Sequence, residues 1–309
     1  MRIAIMGSGG IGGFLGAKLC AAGHDVIFIA RGAHLAALKK SGLSLLSQAG
    51  NQHLYPVEAY EKTEGITPVD LIFFCVKLYD TQEAARACLP LLQDNTFLLT
   101  LQNGVESVEA LSAIIGQNKT VGGAIYVSAN IQEPGVITHS GGHDTLYFSE
   151  KDNQPSPRTV ILEHILNGAG LIGIRSDNLQ EMLWSKFTLL CANASLGSLM
   201  DSGAVTIFSE KDSQDLFVAA LWEVYHVAAA MSIMLPENTV PDIQNSILSM
   251  GKGNDMLASQ CLDLRAGRKL ELEWIQGTLR RLGQKYGVPT PINNTAYLAL
   301  KRFANGSRS

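Results

Sequence analysis

The chain has 309 residues, 46% of them hydrophobic, enough for sizeable cores and for two domains. A formal net charge of −4, with no basic run, excludes a nucleic-acid-binding surface and points to small-molecule partners. Five scattered cysteines (Cys20, Cys75, Cys88, Cys191 and Cys261) form no C-x-x-C pair and no Cys/His cluster, which predicts reduced thiols, a cytoplasmic protein and no metal site. The apolar run at residues 3–6 is too short for a signal peptide, and no apolar segment is long enough to span a membrane.

Residues 2–6 read as a short apolar strand. Gly7, Gly9 and Gly12 follow at the spacing G-x-G-x-x-G, a helical pattern runs over about 11–22, and a second apolar strand, 26–30, ends at Arg31. This is the dinucleotide-binding fingerprint in a strand–turn–helix–strand context. Gly7 allows a tight turn, Gly9 a close backbone approach to a pyrophosphate, and Gly12 close packing of helix on sheet. Ser8, Gly10 and Ile11 complete the loop and the first helical turn, whose N–H groups and positive dipole end suit phosphates. Sites selective for NAD carry an acid at the end of the second strand. Arg31 stands there instead, and a guanidinium grips a 2′-phosphate in bidentate fashion, so the expected cofactor is NADP(H).

Segments 70–77 (DLIFFCVK), 96–104 (TFLLTLQNG) and 121–131 (VGGAIYVSANI) have the continuous apolar character of buried parallel strands. Helices are expected at about 79–92 and 105–115, and a hairpin over 135–148. His139 and His143, four apart in THSGGH, read as a surface loop. The segment 151–157 (KDNQPSP) has linker composition, but a helix over 158–167 and a strand over 171–174 still follow. The predicted fold is a doubly wound α/β domain over residues 1–176 and an all-helical domain over 177–309. Asp177, with Gln180 three residues on, is the expected N-cap of a helix reaching about residue 199. Further helices fit 212–232, 240–249, 254–266, 271–286 and 291–303, with Pro236, Pro241, Gly251, Gly267, Gly287 and Pro289 between or at their ends.

Reduction by a nicotinamide cofactor requires a proton donor for the carbonyl oxygen. Lys186 is the only charged residue between Met182 and Met200. A lysine in so apolar a helix either snorkels or has a task; burial would lower its pKa into a useful range. Lys77 ends a strand, where ligands of open α/β sheets bind, or is an ordinary solvated strand end. Asn103, in QNG, can orient a ligand or simply form a turn. Ser259 and Asp263 lie four apart on one helix face, and Glu271 follows near the start of the next helix; taken alone these read as surface polarity.

In order, GSGGIG (7–12), AR (30–31), CVK (75–77), QNG (102–104), LWSKF (183–187) and SQCLDLRAGRKLE (259–271) resemble the ketopantoate reductase (2-dehydropantoate 2-reductase) family over essentially the whole chain. The resemblance implies a Rossmann domain followed by a helical domain of the 6-phosphogluconate dehydrogenase type, with NADPH reducing 2-dehydropantoate to (R)-pantoate on the route to pantothenate and coenzyme A. It makes Lys186 the catalytic lysine and places Arg31, Lys77, Asn103 and Glu271 on the cofactor side. By the same resemblance, Asn103, Lys186, Ser259 and Glu271 are the expected substrate contacts.

The family has asparagines four and eight residues after the lysine; here Leu190 and Ala194 occupy those positions. Asn193 lies seven residues on, a turn of about 700° that brings it within about 20° of Lys186 in projection. It is therefore the expected replacement on the substrate side, beside a less polar Leu190. A reductase of another 2-oxoacid or hydroxyacid is the first alternative, and a non-catalytic NADP(H) sensor the second. The apolar helices of the second domain suit either a homodimer interface or a core.

Overall fold

The computed structural model describes residues 1–251, 255 and 257–306, the side chain of His143 excepted. The chain divides into two compact units, one formed by Met1–Gln102 and Glu106–Met182, the other by Asn103–Val105 and Leu183–Ser309.

The first unit begins with β1 (Arg2–Met6), α1 (Gly10–Ala21), β2 (Asp25–Ile29), α2 (Gly32–Ser41), β3 (Leu43–Ser47), β4 (Gln52–Leu54) and β5 (Glu58–Tyr60). It continues with β6 (Leu71–Phe74), α3 (Thr81–Cys88), β7 (Phe97–Thr100), α4 (Ser107–Ile115), β8 (Thr120–Glu133), β9 (Val136–Ser149), α5 (Pro157–Gly168) and β10 (Ile172–Arg175). Ten strands among the described residues form one mixed sheet in the order β4-β3-β9-β8-β7-β6-β1-β2-β5, with β10 beside β9. From β8 to β5 every neighbouring pair is parallel. The short strands β6 and β7 are buried along their whole length, as expected of a sheet covered on both faces. Alternation along β1 makes the two faces visible: Ile3 and Ile5 join a core with Phe14 and Leu15 of α1, whereas Ala4 and Met6 join one with Ala84 and Ala85 of α3 and Leu111 of α4.

The second unit is helical. It comprises most of α6 (Leu179–Met200), then α7 (Ala204–Ile207), α8 (Lys211–Ala230), α9 (Thr239–Ser249), α10 (Ser259–Arg265), α11 (Gln276–Tyr286) and α12 (Pro291–Leu300), ending in a 3-10 turn over Lys301–Phe303. Its main core joins Ala192 and Leu196 of α6 to Phe217, Ala220 and Leu221 of α8 and to Val240 and Ile247 of α9. Beneath it, the Glu223 carboxylate accepts hydrogen bonds from the N–H groups of Ile292 (2.7 Å) and Asn293 (3.0 Å) at the start of α12 and from Asn293 Nδ2 (2.7 Å). A negative side chain at a helix N-terminus meets both the free N–H groups and the positive dipole end there. No helix of the described residues is long and apolar enough to cross a membrane.

Several elements differ from the sequence-based expectation. The hairpin begins earlier than residue 135: β8 and β9 are antiparallel over their length and turn at Pro134 and Gly135. His139 is therefore in a strand, 5% exposed, rather than in a surface loop. Its Nε2 bonds Asp144 Oδ1 at 2.7 Å, its Nδ1 bonds Ser47 Oγ at 2.9 Å, and its ring lies 4.4 Å from that of Phe14. Two polar partners make that burial affordable; the His143 side chain lies outside the described residues.

The N-cap of α6 is Asn178, one residue after Asp177: its Oδ1 accepts from the Glu181 N–H at 3.1 Å, and Asn153 Oδ1 accepts from the Leu179 N–H at 2.8 Å. The helix expected over 79–92 is an α-helix only over Thr81–Cys88, flanked by 3-10 turns at Leu78–Asp80 and Leu89–Leu91. The helix expected from residue 254 begins at Ser259; residues 252–254 and 256 lie outside the described residues. The one expected from Glu271 begins at Gln276 and is preceded by a turn in which the Glu271 carbonyl accepts from the N–H groups of Trp274 and Ile275, each at 3.1 Å.

Candidate functional site

In the first unit, the chain leaves β1 through Gly7 at φ +93°, a left-handed conformation that glycine adopts without strain. The N–H groups of Gly7 and Ser8 both donate to the Ile29 carbonyl, at 3.2 and 3.0 Å, and the buried Ser8 hydroxyl donates to the same oxygen at 3.1 Å. Ser8 thus ties the loop to β2 by both its backbone and its side chain. Gly12 packs so tightly that a Cβ there would lie 2.1 Å from the Gly7 carbonyl oxygen and 2.8 Å from Ile5 Cγ2. A Cβ on Gly9 would meet nothing within 4 Å, and no side chain caps α1 at that residue. The open space at Gly9, directly before the first turn of α1, fits the pyrophosphate of a dinucleotide, whereas Gly10 packs against β8, where a Cβ would lie 2.2 Å from the Ala129 carbonyl oxygen.

Arg31 follows β2 and carries an exposed guanidinium whose Nη2 donates to Glu83 Oε1 of α3 at 2.6 Å. Lys77 lies three residues beyond β6 at the start of the Leu78–Asp80 turn, and its carbonyl accepts from the Asp80 N–H at 2.9 Å. Both residues follow the carboxyl ends of parallel strands, where open α/β sheets bind ligands. Gln102, after β7, fixes the next strand end: its Nε2 donates to Thr81 Oγ1 at 2.7 Å and to the Val76 carbonyl at 3.1 Å. The bend at Asn103 comes directly after this anchor, and Gly104 completes it at φ +91°. Sequence reasoning gave Gln102 no role beyond its place in QNG and passed over Glu83, because nothing in their spacing distinguishes them from ordinary polar residues.

In the second unit, α6 is buried on most sides, but Lys186, Leu190 and Asn193 form a stripe that is only partly buried. Burial pulls the Lys186 ammonium down from its ordinary 10.5 to about 8, and the Glu271 carboxylate partly offsets this. Desolvation of the charged form is thus the larger effect, with an opposite charge holding part of the proton affinity. Glu271 is 5% exposed, on the segment between α10 and the turn before α11. Ser259 is exposed at the start of α10, whereas Asp263 is buried and bonded through Oδ1 to Arg268 Nε at 2.8 Å. Asp263 therefore closes the end of its own helix, and the Ser259 hydroxyl is not its partner.

Asn193 sits where α6 approaches α10. The point a Cβ on Gly197 would occupy is 3.3 Å from Asn193 Oδ1 and 3.8 Å from the Cβ of Ala258, the residue before Ser259. The Asn193 Oδ1 is buried with no hydrogen-bond partner among the described residues, as are Gln260 Oε1 and both amide atoms of Gln276. Gln260, within SQCLDLRAGRKLE, and Gln276 were given no role from the sequence, since their interest lies in burial.

Known proteins match this architecture over both units. The model of the ketopantoate reductase PanE/ApbA family matches residues 3–153, and that of the ketopantoate reductase PanE/ApbA C terminal matches residues 178–304. A 2-dehydropantoate 2-reductase of Mesorhizobium japonicum is 27% identical over 325 residues, covering 98% of each chain. Among solved structures, a PanE/ApbA family ketopantoate reductase from Ralstonia eutropha superposes with a TM-score of 0.89 at 30% identity, covering 98% of each chain. The ternary structure of D-mandelate dehydrogenase with NADH and anilino(oxo)acetate superposes with a TM-score of 0.91 over 98% of each chain; at 22% identity it shows the fold alone.

Proposed function

The chain belongs to the ketopantoate reductase PanE/ApbA family, and on that premise we propose that it reduces 2-dehydropantoate to (R)-pantoate with NADPH, using Lys186 as the proton donor. The observation that carries this reading is the placement of Lys186, the single cation of an apolar helix, with a buried carboxylate, Glu271, acting on it; burial, which pulls its pKa to about 8, supports the same role. An acid that gives up its proton near working pH is what carbonyl reduction requires.

When bound, the nicotinamide supplies a hydride to the C2 carbonyl carbon. The residues around the glycine loop fit that cofactor: Gly9 leaves space for the pyrophosphate, Gly12 holds the helix against the strand, and Arg31 offers its guanidinium to the 2′-phosphate. Lys77 and Asn103 serve the cofactor from the two adjoining strand ends. Lys186 Nζ donates a hydrogen bond to the C2 oxygen, stabilises the negative charge that develops there, and transfers its proton as the alcohol forms. Glu271 keeps the ammonium charged between turnovers, and Ser259, Asn103, Asn193 and Glu271 hold the substrate. The product alcohol leaves Lys186 neutral, to be reprotonated from solvent.

Leu190 and Ala194 favour a second reading within the same chemistry. With an apolar side chain on the partly buried stripe of α6, the site suits a 2-oxoacid with a more apolar substituent. The test is NADPH oxidation followed at 340 nm with a panel of 2-oxoacids, for the wild type and for Lys186→Ala. Rapid turnover of 2-dehydropantoate that is lost in Lys186→Ala supports the first reading. A preference for another member of the panel selects the second, and near-normal turnover in Lys186→Ala overturns the role of the lysine.

A further inference from the structure

Resting on the reading of the chain as a 2-oxoacid reductase, we propose that Gln260 is a further substrate-contacting residue, which with Asn193 selects a 2-oxoacid bearing a hydroxyl group on its carbon chain. Gln260 is 3% exposed, and its Oε1 has no hydrogen-bond partner among the described residues. Its Nε2 donates to the Ala194 carbonyl at 3.3 Å. That bond fixes which way the amide faces, because the flipped amide would set two acceptor oxygens against each other. It also seats the amide on α6 at residue 194, one of the two positions where the resemblance leads one to expect an asparagine.

The second amide lies in the same crease. Asn193 Oδ1 and Ala258 Cβ both crowd the point beside Gly197, and Ala258 leads through Ser259 directly into Gln260. The Ser202 carbonyl oxygen, 3.1 Å from the same point, is a further acceptor there and gives the Asn193 Oδ1 no hydrogen. Two buried carbonyl oxygens without donors are a standing cost to the fold, and native proteins leave few such groups unless a ligand or water satisfies them.

The chemistry of the ligand follows from the chemistry of the acceptors. The carboxylate and ketone oxygens of a 2-oxoacid are themselves acceptors and gain nothing from an amide oxygen; a hydroxyl group donates to one. Leu190, on the partly buried stripe that also holds Asn193, supplies apolar surface suited to alkyl substituents on the same chain. Gln260 and Asn193 thus replace, from new positions, amides absent at Leu190 and Ala194.

The experiment compares 2-dehydropantoate with 2-oxo-3,3-dimethylbutanoate, which lacks only the hydroxyl. Wild-type enzyme is expected to prefer the hydroxylated acid in kcat/KM by on the order of 100-fold or more, as sites built to bond a hydroxyl do. Gln260→Met keeps the length of the side chain and removes the amide. It is expected to raise KM for 2-dehydropantoate by about 10-fold, the loss of roughly one hydrogen bond, and to shrink the preference by a similar factor while kcat changes little. A Gln260→Met protein that folds, judged by its melting temperature and NADPH affinity, yet keeps the wild-type preference overturns the inference. So does an equal loss on both acids. If Gln260→Met fails to fold, Asn193→Leu reads the same preference with the same two outcomes. Wild type that reduces both acids equally overturns this inference alone; wild type inert towards both overturns the inference and the 2-dehydropantoate reading, and inertness towards the whole 2-oxoacid panel overturns the reductase reading as well.

Discussion

Arg31 and Glu83 form an ion pair of 2.6 Å between the end of β2 and α3, with side chains 55% and 71% exposed. A pair so open to solvent contributes about 1 kcal/mol or less. The guanidinium is thus held in place at low cost and keeps donors for a second anion. On the NADPH reading, Arg31→Ala is expected to weaken NADPH binding by on the order of 10- to 100-fold, the loss of charge-assisted hydrogen bonds, and NADH binding far less. Glu83→Gln removes a competing carboxylate; it is expected to tighten NADPH binding modestly, leave NADH binding unchanged, and shift the melting temperature little. Fluorescence titration with both dinucleotides checks all of this. Equal losses for the two cofactors in Arg31→Ala would mean that Arg31 does not read the 2′-phosphate.

Lys186 gives a pH profile with a definite sign. Its ammonium is the acid, and burial has lowered its pKa to about 8. Turnover should therefore be highest below that pH and fall as pH rises through it. Lys186→Ala is expected to lower kcat by on the order of 10² to 10⁴, with NADPH still bound. Stability moves the other way. Between about 8 and the ordinary 10.5 the unfolded chain holds a proton that the folded chain has released. Folding stability contributed by this group therefore rises with pH across that window. Urea unfolding at pH 8 and 10, for wild type and Lys186→Met, isolates the effect: the rise is present in the first and missing in the second.

The sequence was most legible where one physical demand dominates a short segment. The glycine loop in its strand–helix–strand context and the buried strands β6 and β7 are the clearest cases; the apolar α6 was equally plain as a helix, though its single lysine read either as snorkelling or as functional. Strands β3, β4 and β5 and helix α2 went unread because they are short and mixed in polarity, and their pairing is decided by distant partners such as β9 and β2. His139 was misread because THSGGH carries loop composition; only the fold reveals that Asp144 and Ser47 satisfy its ring. The cap of α6 moved by one residue because Asp177 and Asn178 are both good caps, and the choice belongs to the Glu181 N–H. Among the candidate site residues, Lys186 stood out as an isolated charge and by resemblance, whereas Glu271 alone read as surface polarity and was raised by resemblance. Gln260 became visible only through its burial, which no local pattern encodes.

Glu223 supports the helix that carries Lys186. Its carboxylate holds the start of α12, and Asn293, bonded to it, accepts from Ser195 Oγ of α6 at 2.8 Å. Removing the carboxylate leaves buried donors of Asn293 and the part-buried N–H of Ile292 unmet and takes a negative charge from a helix N-terminus. Glu223→Ala is expected to cost about 3 kcal/mol in urea unfolding, in line with breaking a buried polar network. Glu223→Gln, which retains one acceptor oxygen, should cost clearly less. A Glu223→Ala protein within about 0.5 kcal/mol of wild type would show that water replaces the carboxylate without loss.

Gly9 and Gly12 separate binding from folding within one loop. A Cβ on Gly12 would lie 2.1 Å from the Gly7 carbonyl oxygen, a backbone atom that cannot step aside cheaply. Gly12→Ala must therefore push α1 off β1, and is expected to destabilise the fold by about 1–3 kcal/mol, the usual range for overpacking. A Cβ on Gly9 meets nothing within 4 Å. The residue's φ of −73° is open to alanine, so Gly9→Ala should melt within about 0.5 kcal/mol of wild type. Its methyl group nevertheless occupies the space through which a pyrophosphate would approach the first turn of α1. Dinucleotide affinity should therefore fall by on the order of 10-fold or more in Gly9→Ala, without a matching loss of stability. Calorimetric melting and NADPH titration on the two variants give the contrast directly. Undiminished NADPH affinity in Gly9→Ala would remove the phosphate from this loop, whatever Gly12→Ala does to the fold.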